Sequence, residues 1–281
     1  MLKTGVSATM KSLPLRAGRS MLSEKDPAPF ELVNPEGKAP CLIVCDHASS
    51  VIPESLGELG VDQQHRLEHI AWDIGAAVMA RRLAELFDAP AVLAGFSRLV
   101  VDCNRYLDDP SAFVLTSDTI AVPGNMAMTD SERAQRVAQI FRPYHNAIED
   151  ALERFEDAGI VPAVIACHTM TDKMRGGQLR PQEFTMCWAR DDRLPVPVMD
   201  RLIARGDTVV GDNEPYGMDL GEDYTVPEHA MRRGLPYLQF EVRQDLVTRD
   251  EDARAWAEKL HEVSYDLVAD PELRTVKLYW P

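Results

Sequence analysis

Two histidines lie at the carboxyl ends of hydrophobic segments that are typical of buried strands. His47 follows the segment 41–45 (CLIVC), and His168 follows the segment 162–167 (PAVIAC). Carboxyl ends of parallel strands meet at one edge of a sheet, so both imidazoles are expected to face the same crevice. Two neutral imidazoles joined by one carboxylate form the usual open site for a catalytic zinc ion. We therefore predict a zinc site that includes His47 and His168.

Asp73 is the carboxylate that we predict as the third metal ligand. It lies in the segment 69–75 (HIAWDIG), at the start of a predicted helix. The same position would also suit a helix-capping aspartate. Asp46 and Glu54 are alternative carboxylate ligands. A pair of ligands formed by His69 and Asp73, four residues apart on one helix face, is a further alternative.

Arg98, Asn104 and Arg105 form a second cluster around the hydrophobic segment 99–103 (LVVDC), which we predict as a strand. A guanidinium group grips a carboxylate with two parallel hydrogen bonds, and an asparagine supplies both a donor and an acceptor. The cluster therefore suits the carboxylate of an amino-acid-like ligand. The alternative is that the two arginines pair with neighbouring carboxylates at the surface.

Glu241 is the predicted general base. It lies in the strand-like segment 237–243 (YLQFEVR), where alternation places Gln239, Glu241 and Arg243 on one face. A carboxylate on a buried strand costs free energy unless it is paired or functional. Glu241 would take a proton from the attacking water and pass it to the leaving amine. An ion pair with Arg243 is the structural alternative.

Two further residues are assigned to the substrate site. Asn213 lies in a turn-rich loop, DNEPYG at 212–217, that is expected to line the pocket. His145 follows Pro143 and Tyr144 in a long predicted helix, where it either supports the site or packs as an ordinary helix residue.

Strand-like and helix-like segments alternate along the chain. The strands are predicted at 41–45, 91–95, 99–103, 162–167, 184–189, 208–211 and 237–243. The helices are predicted at 71–87, at 130–157 with a break at Pro143, at 195–206 and at 250–268. This alternation predicts a three-layer α/β domain with a mixed, largely parallel central sheet flanked by helices.

Composition and charge limit the class of protein. The chain has 281 residues, 45% of them hydrophobic, and no polar linker divides it, so we predict a single domain over 29–281 after a loosely held arm over 1–28. The formal net charge of −15 argues against nucleic acid as a partner. Five cysteines without a CxxC motif suit free thiols in the cytoplasm, and we predict no membrane span. The predicted assembly is a monomer or a small homo-oligomer.

With these residues in place, the sequence resembles the N-formylglutamate amidohydrolase family and, more distantly, the zinc carboxypeptidases and aspartoacylases. The matching motifs follow the family's order between about residues 30 and 250: DHASxxIP from Asp46, HIAWDIGA from His69, SRxxVDxNR from Ser97, PYH from Pro143, CHTM from Cys167, NEPYG from Asn213, and FEVR around Glu241. No single motif is specific, but SRxxVDxNR together with both histidines and the late glutamate is.

The resemblance implies a phosphorylase/hydrolase-like fold and a zinc-activated water that attacks a formamide or amide carbonyl. The substrate would be an N-formyl or N-acyl acidic amino acid such as N-formyl-L-glutamate, and the products formate and glutamate. By likeness to the carboxypeptidases, Arg98 would stabilise the oxyanion, while Asn104 and Arg105 would hold the substrate carboxylate.

The sequence also departs from these families. Ser50 stands where the carboxypeptidase HxxE motif has its glutamate, Thr169 follows the second histidine where a serine is usual, and Met218 follows Gly217 where a glycine-rich loop is usual. These changes leave the acyl group and the side chain of the substrate open. A zinc peptidase or amidase for larger substrates and a non-catalytic binder of amino-acid derivatives are the competing functions, although a binder needs no general base.

Overall fold

The computed structural model describes residues 20–279, in which a mixed β-sheet carries helices on both faces. The strands among these residues are β1 (Phe30–Val33), β2 (Cys41–Cys45), β3 (Ala91–Ala94), β4 (Thr116–Ser117), β5 (Ile120–Ala121), β6 (Ala163–Met170), β7 (Phe184–Met186), β8 (Val210–Asp212) and β9 (Tyr237–Arg243). The α-helices are α1 (Gln63–Arg66), α2 (Ala76–Phe87), α3 (Pro123–Met126), α4 (Asp130–Arg136), α5 (Arg142–Asp157), α6 (Pro195–Arg205), α7 (Thr225–His229) and α8 (Asp250–Ala269).

The central sheet has the order β1-β3-β2-β6-β9-β7-β8. Strands β3, β2, β6 and β9 are parallel to one another, whereas β1 and the pair β7 and β8 run in the opposite direction. Strands β4 and β5 form a separate hairpin. The prediction of a mixed, largely parallel sheet flanked by helices is therefore confirmed, and the carboxyl ends of β2, β6 and β9 meet at one edge.

Strand β2 shows why the hydrophobic runs are continuous. Cys41, Ile43 and Cys45 pack into the core that contains α2, α6 and α8, while Leu42 and Val44 pack into the core that contains α5 and α7. Side chains alternate between the two faces of a strand, so a strand covered by helices on both faces needs apolar residues at every position.

The prediction of a strand over 99–103 is wrong. Leu99, Val100 and Val101 are buried, but they lie in turns and pack against loop residues in a third core cluster. Their backbone is satisfied locally, since Val100 N donates to Ser97 O and Asp102 N donates to Ala112 O. The hydrophobicity of this segment reflects burial beneath loops and not pairing in the sheet.

Other boundaries also differ from prediction. Strand β6 extends to Met170, so His168 lies within the strand, in register with Glu241. Helix α2 begins at Ala76, and Asp73 precedes it. The helix predicted at 130–157 does not break at Pro143: a π-helical turn, Val137–Phe141, joins α4 to α5, and Pro143 lies in the first turn of α5, where its missing N–H is tolerated.

Residues 20–28 of the predicted arm pack against the domain, and residues 1–19 lie outside the described residues. Met21 is 1% exposed, and Ser20 Oγ and Leu22 N both donate to Gln139 Oε1. Strand β1, which the sequence did not predict, pairs antiparallel with the edge of β3.

All five cysteines are buried free thiols, as predicted. None of the helices in residues 20–279 has both the length and the apolarity to cross a membrane.

Candidate active site

A cavity of about 410 Å³ opens at the edge where β2, β6 and β9 end. The side chains that line it include His47, Asp73, Arg98, Asn104, Arg105, His168 and Glu241, together with His69, Thr169, Cys187, Tyr216, Gly217, Asp219, Glu222, Asp223 and Gln239. Seven of the nine residues assigned to the site from sequence therefore share one cavity.

One atom from each of the side chains of His47, Asp73 and His168 faces a common point. His47 Nδ1 lies 3.3 Å and His168 Nδ1 lies 3.0 Å from the same Asp73 oxygen, Oδ2. All three side chains are buried, and their ligand atoms lie within 4.8 Å of one another. Ligand atoms of a tetrahedral centre with bonds near 2.0 to 2.1 Å are about 3.3 Å apart. The donor set and its spacing therefore fit a small divalent metal ion.

A carboxylate lies behind each histidine. His47 Nε2 lies 2.8 Å from Asp102 Oδ1, and His168 Nε2 lies 3.2 Å from Asp46 Oδ2, an ion-pair contact without hydrogen-bond angles. Histidines that bind metals usually present their second ring nitrogen to a carboxylate in this way, which fixes the ring and makes the ligand nitrogen more basic.

These carboxylates are themselves held in place. Asp46 Oδ1 accepts hydrogen bonds from Tyr144 Oη and Thr225 Oγ1, each at 2.7 Å. Asp102 forms an ion pair with Arg98 at 2.6 Å. The orientation of both imidazoles thus depends on contacts from α5, α7 and the turn after β3.

The charges of the cluster shift its protonation. The buried carboxylates of Asp46 and Asp73 raise the pKa of His168 well above its ordinary value despite desolvation, and the pKa of His47 is also raised by Asp102 and Asp73. The paired histidines lower the pKa of Asp46 to about 2, against the effect of burial. The cluster therefore attracts positive charge, which protons or a metal ion can supply at the same Nδ1 atoms.

Asp73 reaches the histidines because the chain turns sharply around it. Its backbone N donates to His47 O at 2.9 Å, and Gly75 caps α2 in the left-handed region, with φ of 85°. A Cβ on Gly75 would lie 2.4 Å from Val247 O. The Asp73 side chain makes no capping hydrogen bond to α2 and is directed toward the histidines instead. The alternative of a helix cap is therefore wrong.

Glu241 lies beside this group without a partner in the described chain. It is in register with His168 on the neighbouring strand, and no described residue forms a hydrogen bond with its buried Oε2 atom. Burial, with a contribution from the Asp73 charge, raises its pKa to about 7, although the charges of His168, His47 and Arg98 oppose the shift. Arg243 pairs with Asp245 at 2.7 Å, and not with Glu241. A carboxyl group in this state suits proton transfer.

Arg98 faces both the cavity and the cluster. Besides its pairing with Asp102, its Nη1 atom lies 3.9 Å from Asp73 Oδ1, and its side chain keeps 27% of its surface exposed. Hydrogen bonds from Arg98 N and the Ser97 hydroxyl to Ala71 O tie this turn to the segment that carries Asp73. Arg98 is therefore held beside the predicted metal ligands with free surface toward a ligand.

Asn104 and Arg105 meet at Asp223. Asn104 Nδ2 and Arg105 Nη1 both donate to Asp223 Oδ1, at 3.2 and 2.8 Å. Asn104 Oδ1 accepts from the backbone N of Tyr224 and Thr225, which fixes the start of α7. The absence of a strand at 99–103 lets both side chains reach the same cavity.

Two of the assigned residues do not line the cavity. His145 is buried, with Nε2 at 2.9 Å from Cys103 O and Nδ1 at 2.9 Å from His229 Nε2. Asn213 Oδ1 accepts from Trp188 N, which supports the loop that carries Tyr216 and Gly217. Their assignment as substrate-binding residues is not supported by this geometry, because both side chains are used in packing the walls.

The alternative metal ligands are not part of the group formed by His47, Asp73 and His168. Glu54 is exposed and pairs with Lys25, and His69 lies 3.3 Å from Asp118. Asp46 contacts His168 from the far side of the ring. Asp102, which lies behind His47, and Gln239, on the cavity wall, are among the residues of the site to which the sequence gave no role. Asp102 lies in the SRxxVDxNR motif, and Gln239 is on the same strand face as Glu241, so both signals were present.

Comparison with known proteins gives consistent matches. The model of a family described as N-formylglutamate amidohydrolase matches residues 39–248. An N-formylglutamate deformylase of Pseudomonas putida is 27% identical over 133 residues, 43% of this chain and 48% of that protein, so the match spans about half of the relative's length.

Two solved structures share the fold. The crystal structure of a gene product of Agrobacterium tumefaciens is 32% identical, with a TM-score of 0.84 over 90% of this chain and 99% of that chain. The structure of an N-formylglutamate amidohydrolase from Ralstonia eutropha JMP134 is 21% identical, with a TM-score of 0.63 over 86% of this chain and 97% of that chain. At that identity the second likeness concerns the fold alone.

Proposed function

The chain belongs to the N-formylglutamate amidohydrolase family, and we propose that it is a metal-dependent hydrolase of N-formyl or N-acyl amino acids. Zinc is the proposed ion, and N-formyl-L-glutamate, for which the family is named, is the first substrate to assay. The observation that carries the proposal is the convergence of His47, Asp73 and His168 on one point beside the unpartnered carboxyl oxygen of Glu241.

His47, Asp73 and His168 would hold the metal through Nδ1, Oδ2 and Nδ1. A metal bound there supplies Lewis acidity toward the substrate carbonyl and the attacking water. Asp102 accepts a hydrogen bond from His47 Nε2, and Asp46 lies 3.2 Å from His168 Nε2, so the Nε2 atom of each histidine faces a carboxylate. The Nδ1 lone pairs are then free for the metal.

Glu241 is the proposed general base. Its Oε2 atom takes a proton from the attacking water and delivers that proton to the nitrogen of the leaving amine, so the carboxylate is regenerated at the end of the cycle. Burial raises the pKa of Glu241 above that of an exposed carboxyl group, which makes it a stronger base toward the attacking water.

Arg98, Asn104 and Arg105 bind negatively charged groups of the substrate, one at the reacting carbonyl and one at the carboxylate. Arg98 donates to the carbonyl oxygen as negative charge develops on it, a contribution of about 3 kcal/mol per donor in comparable sites. Arg105 and the second N–H of Asn104 Nδ2 hold the substrate carboxylate. The size of the cavity, about 410 Å³, suits a small molecule.

The test is an assay of the purified protein with and without its metal. We expect near-stoichiometric zinc by mass spectrometry and formate release from N-formyl-L-glutamate that stops on chelation and returns with added zinc. His47→Ala and His168→Ala should lose the metal and the activity, whereas His261→Ala, on α8, should keep both. Stoichiometric zinc in both site variants would refute the metal site. No metal after reconstitution would favour a binding protein.

A further inference from the structure

Asp223 is a buried carboxylate on the cavity wall to which the proposed reaction gives no role. The residue is 7% exposed, and burial raises its pKa, although the charge of Arg105 opposes the shift. A carboxylate in such a position costs free energy unless its contacts or its function compensate for that cost. The contacts of Asp223 therefore indicate what it does.

The Arg105 guanidinium is held at one nitrogen by contacts within the chain, and its other two nitrogens are free. Arg105 Nη1 donates to Asp223 Oδ1 and to Asn104 O, both at 2.8 Å, which uses both hydrogens of that nitrogen. Among the described residues, none accepts a hydrogen bond from Arg105 Nε or Nη2. These two atoms carry parallel N–H bonds, the arrangement that binds both oxygens of a carboxylate. The contact with Asp223 thus leaves the Nε–Nη2 edge for a ligand.

Asp223 is itself fixed in place. Its Oδ2 atom accepts from Asp219 N at 3.0 Å, and its own backbone N donates to Asp219 O at 2.8 Å. Its Oδ1 atom accepts from Asn104 Nδ2 at 3.2 Å in addition to Arg105. Because both carboxylate oxygens and the backbone are bonded, a ligand carboxylate binds more favourably at the free edge of Arg105 than in place of Asp223.

The position of Asn104 and Arg105 selects the carboxylate that they reach. Asn104 N donates to Asp102 Oδ1 at 2.8 Å, the same atom that contacts His47 Nε2. The pair is therefore anchored to the carboxylate behind a proposed metal ligand. In an N-acyl amino acid the α-carboxylate is bonded to the carbon that carries the reacting nitrogen, whereas a side-chain carboxylate lies further away. This step rests on the proposed function, and it assigns the α-carboxylate to Arg105.

We propose that Asp223 is a positioning residue that holds Arg105 so that its Nε–Nη2 edge binds the α-carboxylate of the substrate. The substrate class is thereby narrowed to N-acyl amino acids with a free α-carboxylate. A site built to hydrogen-bond a substrate group rejects an analogue that lacks it, because the polar atoms of the site are left unpaired.

Asp223→Asn is the variant that tests the positioning role. The amide keeps the shape of the side chain but loses the charge that holds the guanidinium. With the zinc-loaded protein and N-formyl-L-glutamate, we expect KM to rise about tenfold while kcat stays within about twofold and the zinc content is unchanged. A merely structural role would lower kcat and the Tm as well. An unchanged or lowered KM would overturn the proposal.

N-formyl-L-isoglutamine shows which carboxylate is bound. It keeps the side-chain carboxylate of N-formyl-L-glutamate and has an amide in place of the α-carboxylate. For the wild-type protein we expect kcat/KM to be at least about a hundredfold lower with this compound, a comparison that needs no variant. Asp223→Asn should leave its kcat/KM nearly unchanged. Equal losses with the two substrates would overturn the assignment of the α-carboxylate.

Two further variants separate the contact from the charge. Glu222→Gln removes a negative charge from the same loop, where Glu222 is exposed and lines the cavity. It should lower the KM for an anionic substrate, the opposite sign to Asp223→Asn. In an Arg105→Met background, Asp223→Asn should have no further effect on KM. A further tenfold rise in that background would show that Asp223 does not act through Arg105.

Calorimetry with free L-glutamate and L-isoglutamine separates this inference from the proposed function. If the loaded protein hydrolyses none of the formyl derivatives, the proposed function fails. Binding of L-glutamate that is about tenfold weaker in Asp223→Asn, with L-isoglutamine bound equally by both proteins, would still support the positioning role. Hydrolysis of N-formyl-L-glutamate with the same KM in both proteins would leave the function standing and overturn the role of Asp223.

Discussion

At the scale of single residues, the site is a set of buried charges that compensate one another through close contacts. Asp73 contacts two imidazoles, and each imidazole contacts a further carboxylate. Buried charges are tolerated when they are paired, and breaking one pair leaves the other partner uncompensated. The role of each side chain is therefore best separated with isosteric substitutions that keep the packing.

Glu241→Gln is the substitution that isolates proton transfer. The amide keeps the shape of the carboxyl group but cannot take a proton from water, so kcat should fall by about 10² to 10⁴ while bound zinc stays stoichiometric. Steady-state formate release with parallel metal analysis measures both. A variant with wild-type kcat would show that another group is the base.

At the scale of elements, the turn formed by residues 73–75, immediately before α2, sets the position of Asp73. Gly75 adopts a positive φ, and its Cα lies against Val247, which follows β9. The turn thus connects Asp73 with the segment of His47 and with the segment of Val247, which are both distant from it in sequence. Close approach of backbone to backbone is a use of glycine that no other residue can replace.

Gly75→Ala should therefore damage both stability and metal binding. The added methyl would meet Val247 O and strain a left-handed backbone, and we expect a loss of about 2 kcal/mol or more in unfolding free energy together with weaker zinc binding. Urea unfolding and zinc titration measure the two effects. Gly206→Ala is the matched control, because its φ is 72° with nothing within 4 Å of the new methyl. Equal effects of the two substitutions would contradict the explanation.

Helices α5 and α7 are joined by a pair of neutral histidines. His145 Nε2–H donates to Cys103 O, so its Nδ1 accepts from His229 Nε2–H. Burial lowers the pKa of His145 to about 4 and, with a contribution from the charge of His145, the pKa of His229 to about 3. The pair supports the start of α7, to which Asn104 and Asp46 are bonded.

These lowered pKa values predict a loss of stability in acid. Below about pH 6.5 the unfolded chain binds protons that the folded pair does not, so the folded state loses stability as pH falls toward 4, by about 2 kcal/mol for each histidine between pH 6.5 and 5. His229→Gln keeps an N–H donor and does not titrate, so its unfolding free energy should depend less steeply on pH over this window. Urea unfolding at several pH values measures this difference, and parallel curves for the two proteins would refute it.

At the scale of the whole molecule, hydrophobic periodicity and the polar residues at strand ends were enough to predict the type of sheet and part of the site. The largely parallel sheet, the strands at β2 and β9, and the shared cavity of His47, His168 and Glu241 follow from alternation and from the meeting of strand ends. The segment 99–103 was mistaken because burial under loops produces the same apolar run as burial in a sheet. The motif marked Asp102, but its role behind His47 could not be derived from sequence, since that contact depends on the turn.

His145 and Asn213 show a second limit. Both lie in motifs that match the family, but a motif residue can serve the site by supporting its walls as well as by touching a ligand. His145 packs beneath α7, and Asn213 binds the backbone of Trp188. Sequence spacing does not distinguish these roles, because the direction of a side chain out of a loop or helix depends on tertiary contacts that are distant in sequence.

His47, Asp73 and His168 bring the ends of β2 and β6 together with the turn before α2. Binding of zinc by these side chains should therefore stabilise the fold as a whole. A ligand that binds only the native state adds free energy of unfolding, about 4 kcal/mol when its free concentration is a thousand times Kd. We therefore expect chelation to lower the Tm by roughly 8 to 16 °C for a chain of this size and zinc to restore it. Asp73→Ala should have a low Tm that does not respond to chelator, whereas Glu241→Gln should respond as the wild type does. A wild-type Tm that stays constant while the measured zinc falls to zero would show that the cluster is held by its own ion pairs and that the metal, if bound, serves chemistry alone.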